Sequence, residues 1–352
     1  MHLETAKKVI KEACLSSLGL KENARNAERV PVKVFGPVGA GKSSIVYQAM
    51  SEVFEDMGVT NWRFHRVNAG TEAPDDIAGS NFYDKENCRM IKMKPWWWPK
   101  EDEPYGVVFL DEIDQGDKAQ QNACGPLIDE RRAGPWVLPD GWIVIGAGNR
   151  KQDRAGTTTS PSQIKDRWLN CEIEITTEQT LSYFAKIGVH PKIRAFLARF
   201  GHEWLHKFDP DAEAFPTPRS WERTSTIMGW DLEPEEMIQA IAAKVGTGAT
   251  AALTGFWKVF DHIPDPDELI ADPMGATVPN EADTLYAICA LLSTKATMDN
   301  LGAILQYCGR FESQTFTAMI VRDVRARFGN DLKRNPAYRQ WIANGGGKEL
   351  LV

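Results

Sequence analysis

Eight residues constrain this chain more than any others: Gly36-Pro37-Val38-Gly39-Ala40-Gly41-Lys42-Ser43. They satisfy the pattern G-x-x-x-x-G-K-[ST] in full. The run follows Val30-Pro31-Val32-Lys33-Val34-Phe35, a short β-branched stretch, and helical spacing continues from Ser43 to Met57. That context is what the physics needs. Glycines let the backbone turn tightly and aim N–H groups inward around an anion. The start of a helix adds partial positive charge. Lys42 brings an ammonium to the β- and γ-phosphates of a nucleotide, and the Ser43 hydroxyl is offered to Mg²⁺. With Ser44, the run from Gly36 makes up the candidate phosphate-binding residues.

A second segment completes the chemistry. Val107-Val108-Phe109-Leu110 is an apolar run that ends in Asp111-Glu112. A buried strand of this kind delivers two adjacent carboxylates at its C-terminal end, the edge where open α/β sheets bind ligands. Asp111 is read as holding the Mg²⁺ shell, and Glu112 as orienting and polarising an attacking water. The pair favours hydrolysis over transfer to a metabolite.

Strand and helix patterns alternate through the first half. Asn61–Val67, Gly106–Asp111, Trp142–Ala147 and Cys171–Ile175 read as strands, and Lys118–Arg131 as a helix. Such alternation implies βαβ units and a mainly parallel sheet. After Thr176 the strand signals stop and helical periods run to the end, with Pro and Gly between them. Residues 262–280, rich in Pro, Gly and Asp, read as a loop. The expected organisation is an N-terminal helix (1–27), an α/β domain (28–176), a helical lid (177–232) and a C-terminal helical region (233–352).

Composition narrows the function classes. Lys plus Arg is 41 and Asp plus Glu is 48, a net charge of −7, so there is no global footprint of a nucleic-acid binder. No segment approaches 18 uninterrupted apolar residues, and residues 1–20 lack a signal-peptide core, so a cytoplasmic protein is expected. The six cysteines are scattered without a Cys-x-x-Cys pair and read as reduced core thiols. Gly201-His202-Glu203-Trp204-Leu205-His206 matches H-E-x-x-H. It lacks the Gly-x-x-His continuation and is read as two polar histidines on a lid helix.

Gly36–Ser43 resembles the Walker A motif and Val107–Glu112 the Walker B motif of AAA+ ATPases, within them the MoxR-type group of bacteria and phages. The resemblance covers about residues 28–232. It implies a P-loop parallel sheet sandwiched by helices, followed by an α-helical lid. The stretch Leu138–Arg150 resembles the sensor-1 strand, which would place Asn149 beside Glu112 and the γ-phosphate. Asp153-Arg154 and Asp166-Arg167-Trp168 resemble the segment that supplies an arginine finger in trans, with Arg167 ahead of Arg154. Thr217-Pro218-Arg219 resembles sensor 2, with Arg219 acting on its own subunit's nucleotide. A surface salt bridge is the alternative at each arginine.

The same resemblance implies ATP and Mg²⁺ as cofactors, a homo-oligomeric, hexameric ring, and a protein client, with a von Willebrand factor A domain protein as a partner common in this group. It places one hairpin insertion in residues 81–105, which hold Met90, Met93 and Trp96-Trp97-Trp98, and another in residues 132–141. The tryptophans either reach another domain, subunit or client, or pack the insertion onto the core. The expected function is ATP hydrolysis coupled to remodelling of a protein partner. The alternatives are a nucleic-acid-directed motor or loader, phage-encoded or not, and a nucleotide-gated scaffold with little turnover.

Overall fold

The structure, a computed structural model, describes residues 1–20, 29–150, 153 and 162–346. The chain divides into two compact units, Met1–Ile175 and Thr176–Val352. The first contains α1 (Leu3–Ser17), β1 (Val32–Gly36), α2 (Lys42–Asp56), β2 (Trp62–Asn68), α3 (Pro74–Ala78), β3 (Asn81–Asp84) and β4 (Arg89–Lys92). It continues with β5 (Tyr105–Asp111), α4 (Lys118–Asp129), β6 (Arg132–Ala133), β7 (Trp136–Val137), β8 (Trp142–Asn149), α5 (Ser162–Asp166) and β9 (Leu169–Glu172).

Five strands form one sheet in the order β2-β5-β8-β1-β9, and every neighbouring pair is parallel. The two central strands β5 and β8 are near-continuously apolar because both of their faces are covered. Alternation sorts their side chains. Val32, Val34, Val107, Phe109, Ile143, Ile145 and Ala147 join Ile45, Ala49 and Met50 of α2 and Ala6, Ile10 and Cys14 of α1 in one core. Val67, Val108, Leu110 and Val144 join Ile77 of α3 and Leu127 and Ile128 of α4 in the other. This is the helix-sandwiched parallel sheet that the P-loop reading implies. The first helix ends at Ser17, short of the expected residue 27; residues 21–28 lie outside the described ones. It packs into the sheet's own core, and Lys11 of α1 donates to Glu52 of α2 at 3.2 Å.

Both expected hairpins are present: β3 pairs antiparallel with β4, and β6 with β7. Trp97 and Trp98 are buried in the second core, and the Trp97 indole N–H donates to the Asp76 carbonyl at 3.1 Å. Trp96, 64% exposed, faces solvent. Five cysteines are buried as expected, but Cys88 is exposed at the β3–β4 turn, where the chain must reverse direction.

The second unit is wholly helical among its described residues: α6 (Thr177–Ile187), α7 (Pro191–Trp204), α8 (Pro218–Ile227), α9 (Pro234–Val245), α10 (Thr247–Trp257), α11 (Pro266–Ala271), α12 (Ala282–Lys295), α13 (Leu301–Cys308), α14 (Gln314–Phe328) and α15 (Pro336–Ala343), with two short 3₁₀ turns. Proline occupies the first helical position of α7, α8, α9, α11 and α15, where its missing N–H costs nothing. This corrects the reading of residues 262–280 as a loop. Pro266 starts a helix there, capped by Asp265, whose side chain accepts from the Asp267 amide. No helix among the described residues is long and apolar enough to cross a membrane.

Candidate active site

Adjacent parallel strands end at one edge of the sheet, so their last residues meet. Gly36, at the end of β1, stands beside Asn149, at the end of β8. Asp111, at the end of β5, stands beside Asn68, at the end of β2. The candidate residues therefore converge because of strand order and register, from four separate stretches of sequence.

The loop leaving β1 turns through Gly39 and Gly41, with φ of 75° and 78°, conformations that side chains with a Cβ adopt at a cost of about 1–2 kcal/mol each. Gly41 caps α2, and Lys42 is its first residue. The Lys42 ammonium donates to the Gly36 carbonyl (3.1 Å), the Pro37 carbonyl (2.9 Å) and Asn149 Oδ1 (2.7 Å). Asn149 thus reaches the loop through Lys42. The Ser43 hydroxyl donates to Asp111 Oδ2 at 3.2 Å. A hydroxyl and a carboxylate at that distance are hard oxygen donors of the kind Mg²⁺ takes alongside water and phosphate oxygens, so the residues fit the metal. Among the described residues no group of three or more His, Cys, Asp or Glu could hold a metal ion by itself.

Glu112 follows Asp111 with φ of 53°, the left-handed region, where a residue with a Cβ is held only by its surroundings. Here they are visible. Its N–H donates to Asp111 Oδ1 (2.9 Å), its carbonyl accepts from the Gln115 amide (2.8 Å), and Ile113 donates to the Ala147 carbonyl of β8 (3.1 Å). Its carboxylate accepts from Asn68 Nδ2 at 3.1 Å. Strain therefore sits at the residue assigned to activate water, and its side chain is oriented from the neighbouring strand.

A buried ion pair supports this turn. Lys33 of β1 donates to Asp114 Oδ1 at 2.6 Å. The other Asp114 oxygen lies so close to Gly148 that a Cβ there would sit 1.8 Å from it. One carboxylate thus ties the strand before the phosphate loop, the turn after Glu112 and the strand that ends in Asn149. Asn68, Lys33 and Asp114 escaped the sequence reading. Asn68 had a signal: it is the first polar residue at the C-terminal end of a strand that must pair near Asp111.

The arginines have different surroundings. Arg167 Nε pairs with Asp129 Oδ2 of α4 at 2.7 Å, both half-exposed. Arg219 is exposed in the first turn of α8, in the helical unit, between Thr217 and Ser220, which form the capping box. Arg154 lies outside the described residues; just before it, Arg150 clasps the buried Asp153 through Nε (3.1 Å) and Nη2 (2.9 Å). The H-E-x-x-H match does not form a helical metal face, because α7 ends at Trp204, before His206.

No family model matches the chain, and no curated protein matches it. Similar solved structures include a P216G mutant of RuvB from Thermotoga maritima, 15% identical over 81% of this chain and 82% of that one, with a TM-score of 0.41. A putative ATPase from Cytophaga hutchinsonii is 10% identical over 98% and 88%, with a TM-score of 0.34. A DNA polymerase III gamma subunit-related protein from Thermotoga maritima is 13% identical over 99% and 100%, with a TM-score of 0.37. The chemistry of this chain is carried by its own side chains.

Proposed function

We propose that the chain is a Mg²⁺-dependent ATPase of the MoxR-like AAA+ kind, acting as a homo-oligomeric ring that remodels a protein partner. The observation that supports the catalytic half is the convergence of Lys42, Ser43, Asp111, Glu112 and Asn149 at one sheet edge. Mg²⁺, when bound, would supply positive charge to the phosphates. The loop amides and Lys42 bind the phosphates, Ser43 and Asp111 hold the metal side, and Asn149 orients Lys42. Glu112 takes the proton of the attacking water as the γ-phosphate bond breaks. Lys42→Ala is expected to weaken ATP binding about 100-fold or more, since it removes the ammonium from the phosphate loop. Equilibrium binding of a fluorescent ATP analogue measures this, and unchanged affinity would sink the phosphate-site assignment.

The ring is the further part of the reading. Arg167 is assigned as the trans finger, Arg154 as the second candidate and Arg219 as the residue acting in cis, with residues 177–232 as lid and 233–352 as a C-terminal region. Arg167→Ala should bind ATP yet lose about 10³-fold or more in turnover. Mixing it with Lys42→Ala should restore part of the activity, through interfaces that join an intact pocket to an intact finger. Absence of recovery in mixed rings verified by native mass spectrometry would contradict the trans assignment. A protein client is supported by the exposed apolar side chains of the insertions: Phe82, Tyr83, Met90, Met93, Trp96 and Val137.

A further inference from the structure

Asp111 has a second cationic neighbour that its motif does not foretell. Arg66 of β2 places Nη2 2.7 Å from Asp111 Oδ2. The pairing follows from strand alternation. Phe64, Arg66 and Asn68 share one face of β2. Phe64 packs on Tyr47 of α2 and on Phe109 of β5, and Asn68 reaches Glu112. Arg66 lies between them, on the face that carries the phosphate-loop helix.

The two oxygens of Asp111 are used differently. Oδ1 accepts the Glu112 amide, whereas Oδ2 accepts the Ser43 hydroxyl and is the oxygen paired with the Arg66 guanidinium. Oδ2 is therefore the oxygen that faces the metal position, and it is the one the guanidinium covers. The Asp111 side chain is 6% exposed, and an ionised carboxylate so buried needs a compensating cation. The Arg66 side chain is 57% exposed, so it can swing into water at little cost. Two cations cannot share one carboxylate oxygen at full strength, because they repel each other as well as compete for its lone pairs.

We propose that Arg66 is a displaceable counter-cation for Asp111: its guanidinium and the metal arriving with the nucleotide compete for Oδ2, so Arg66 sets the metal affinity of the site. The inference rests on the reading of Gly36–Ser43 as a metal–nucleotide site. It identifies Arg66 as a residue that weakens metal binding and keeps Asp111 neutralised when the metal leaves.

The test uses Mn²⁺ as the probe and the electron paramagnetic resonance signal of free Mn²⁺ as the readout, with the full chain and a non-hydrolysable ATP analogue whose binding is followed separately. Arg66→Gln should bind Mn²⁺ about two- to fivefold more tightly than the natural chain. Arg66→Lys, which keeps the charge, should stay closer to it. Raising the salt should narrow the gap, because a half-exposed charge is screened. Mn²⁺ affinity in Arg66→Gln that is equal to or weaker than in the natural chain would overturn the proposal, the weaker case marking Arg66 as a phosphate ligand. A natural chain that binds neither the analogue nor Mn²⁺ with it would overturn the nucleotide-site reading itself, and this inference with it.

Discussion

Glu112→Gln is expected to keep ATP bound and to lower phosphate release by about 10²–10⁴-fold. The substitution separates chemistry from structure at this site. Glutamine has the same length, and its carbonyl oxygen can still accept from Asn68 Nδ2, as the carboxylate does at 3.1 Å. The backbone contacts of residue 112 through Asp111, Gln115 and the Ile113–Ala147 bond are untouched, so its left-handed conformation persists. Only the basic oxygen proposed to accept the water's proton is lost. Single-turnover phosphate release, together with the fraction of ATP retained after rapid filtration, measures both halves of the expectation. Turnover at the natural rate would end the assignment of Glu112 as the water-activating group.

The second large effect falls in the helical unit, at a residue with no place in the nucleotide chemistry. Arg194 of α7 is buried, with all five donors in use. Nη1 donates to Asp323 Oδ2 of α14 (2.8 Å) and Ser293 Oγ of α12 (3.2 Å). Nη2 donates to the Ala290 carbonyl (3.0 Å) and to the Thr294 hydroxyl, and Nε to the Val189 carbonyl (3.1 Å). Three helices therefore meet on one guanidinium. Arg194→Ala leaves a buried carboxylate short of its partner and is expected to cost about 3–5 kcal/mol.

The pH dependence gives that loss a signature. Burial pushes the Asp323 carboxyl above its ordinary value, against the pull of Arg322 and Arg194. A carboxyl with a raised folded-state pKa binds its proton more readily when folded, so its contribution to stability falls as pH rises. Removing Arg194 raises that pKa further. The deficit of Arg194→Ala should therefore be larger at pH 8 than at pH 5. Urea titrations of the full chain by circular dichroism at both pH values check this. An unchanged midpoint at either pH would refute the hub role.

How much of this could be read in the sequence depends on the range of the interactions. The phosphate loop, the Asp111-Glu112 strand end and the strand ending in Asn149 are local patterns, in which each residue's neighbours in sequence set its conformation. Asn68, Lys33, Arg66 and Arg194 work through partners 44, 81, 45 (111 − 66) and 129 residues away, which only strand register and helix packing define. Strand alternation does place Arg66 and Asn68 on one face, but choosing that face requires knowing that β2 lies beside β5. The misread segment around Pro266 has a different cause. A proline looks the same to the reader whether it breaks a helix or begins one, and only the capping bond from Asp265 tells them apart.

The edge of this sheet is proposed to hydrolyse ATP with Mg²⁺. Steady-state phosphate release from ATP by the purified chain, measured with Mg²⁺ and again with excess chelator, tests it most directly. Release that depends on Mg²⁺ and stops with the chelator is the predicted result. A chain that binds ATP through Lys42 yet releases no phosphate at any protein concentration, alone or with a candidate partner, would contradict it.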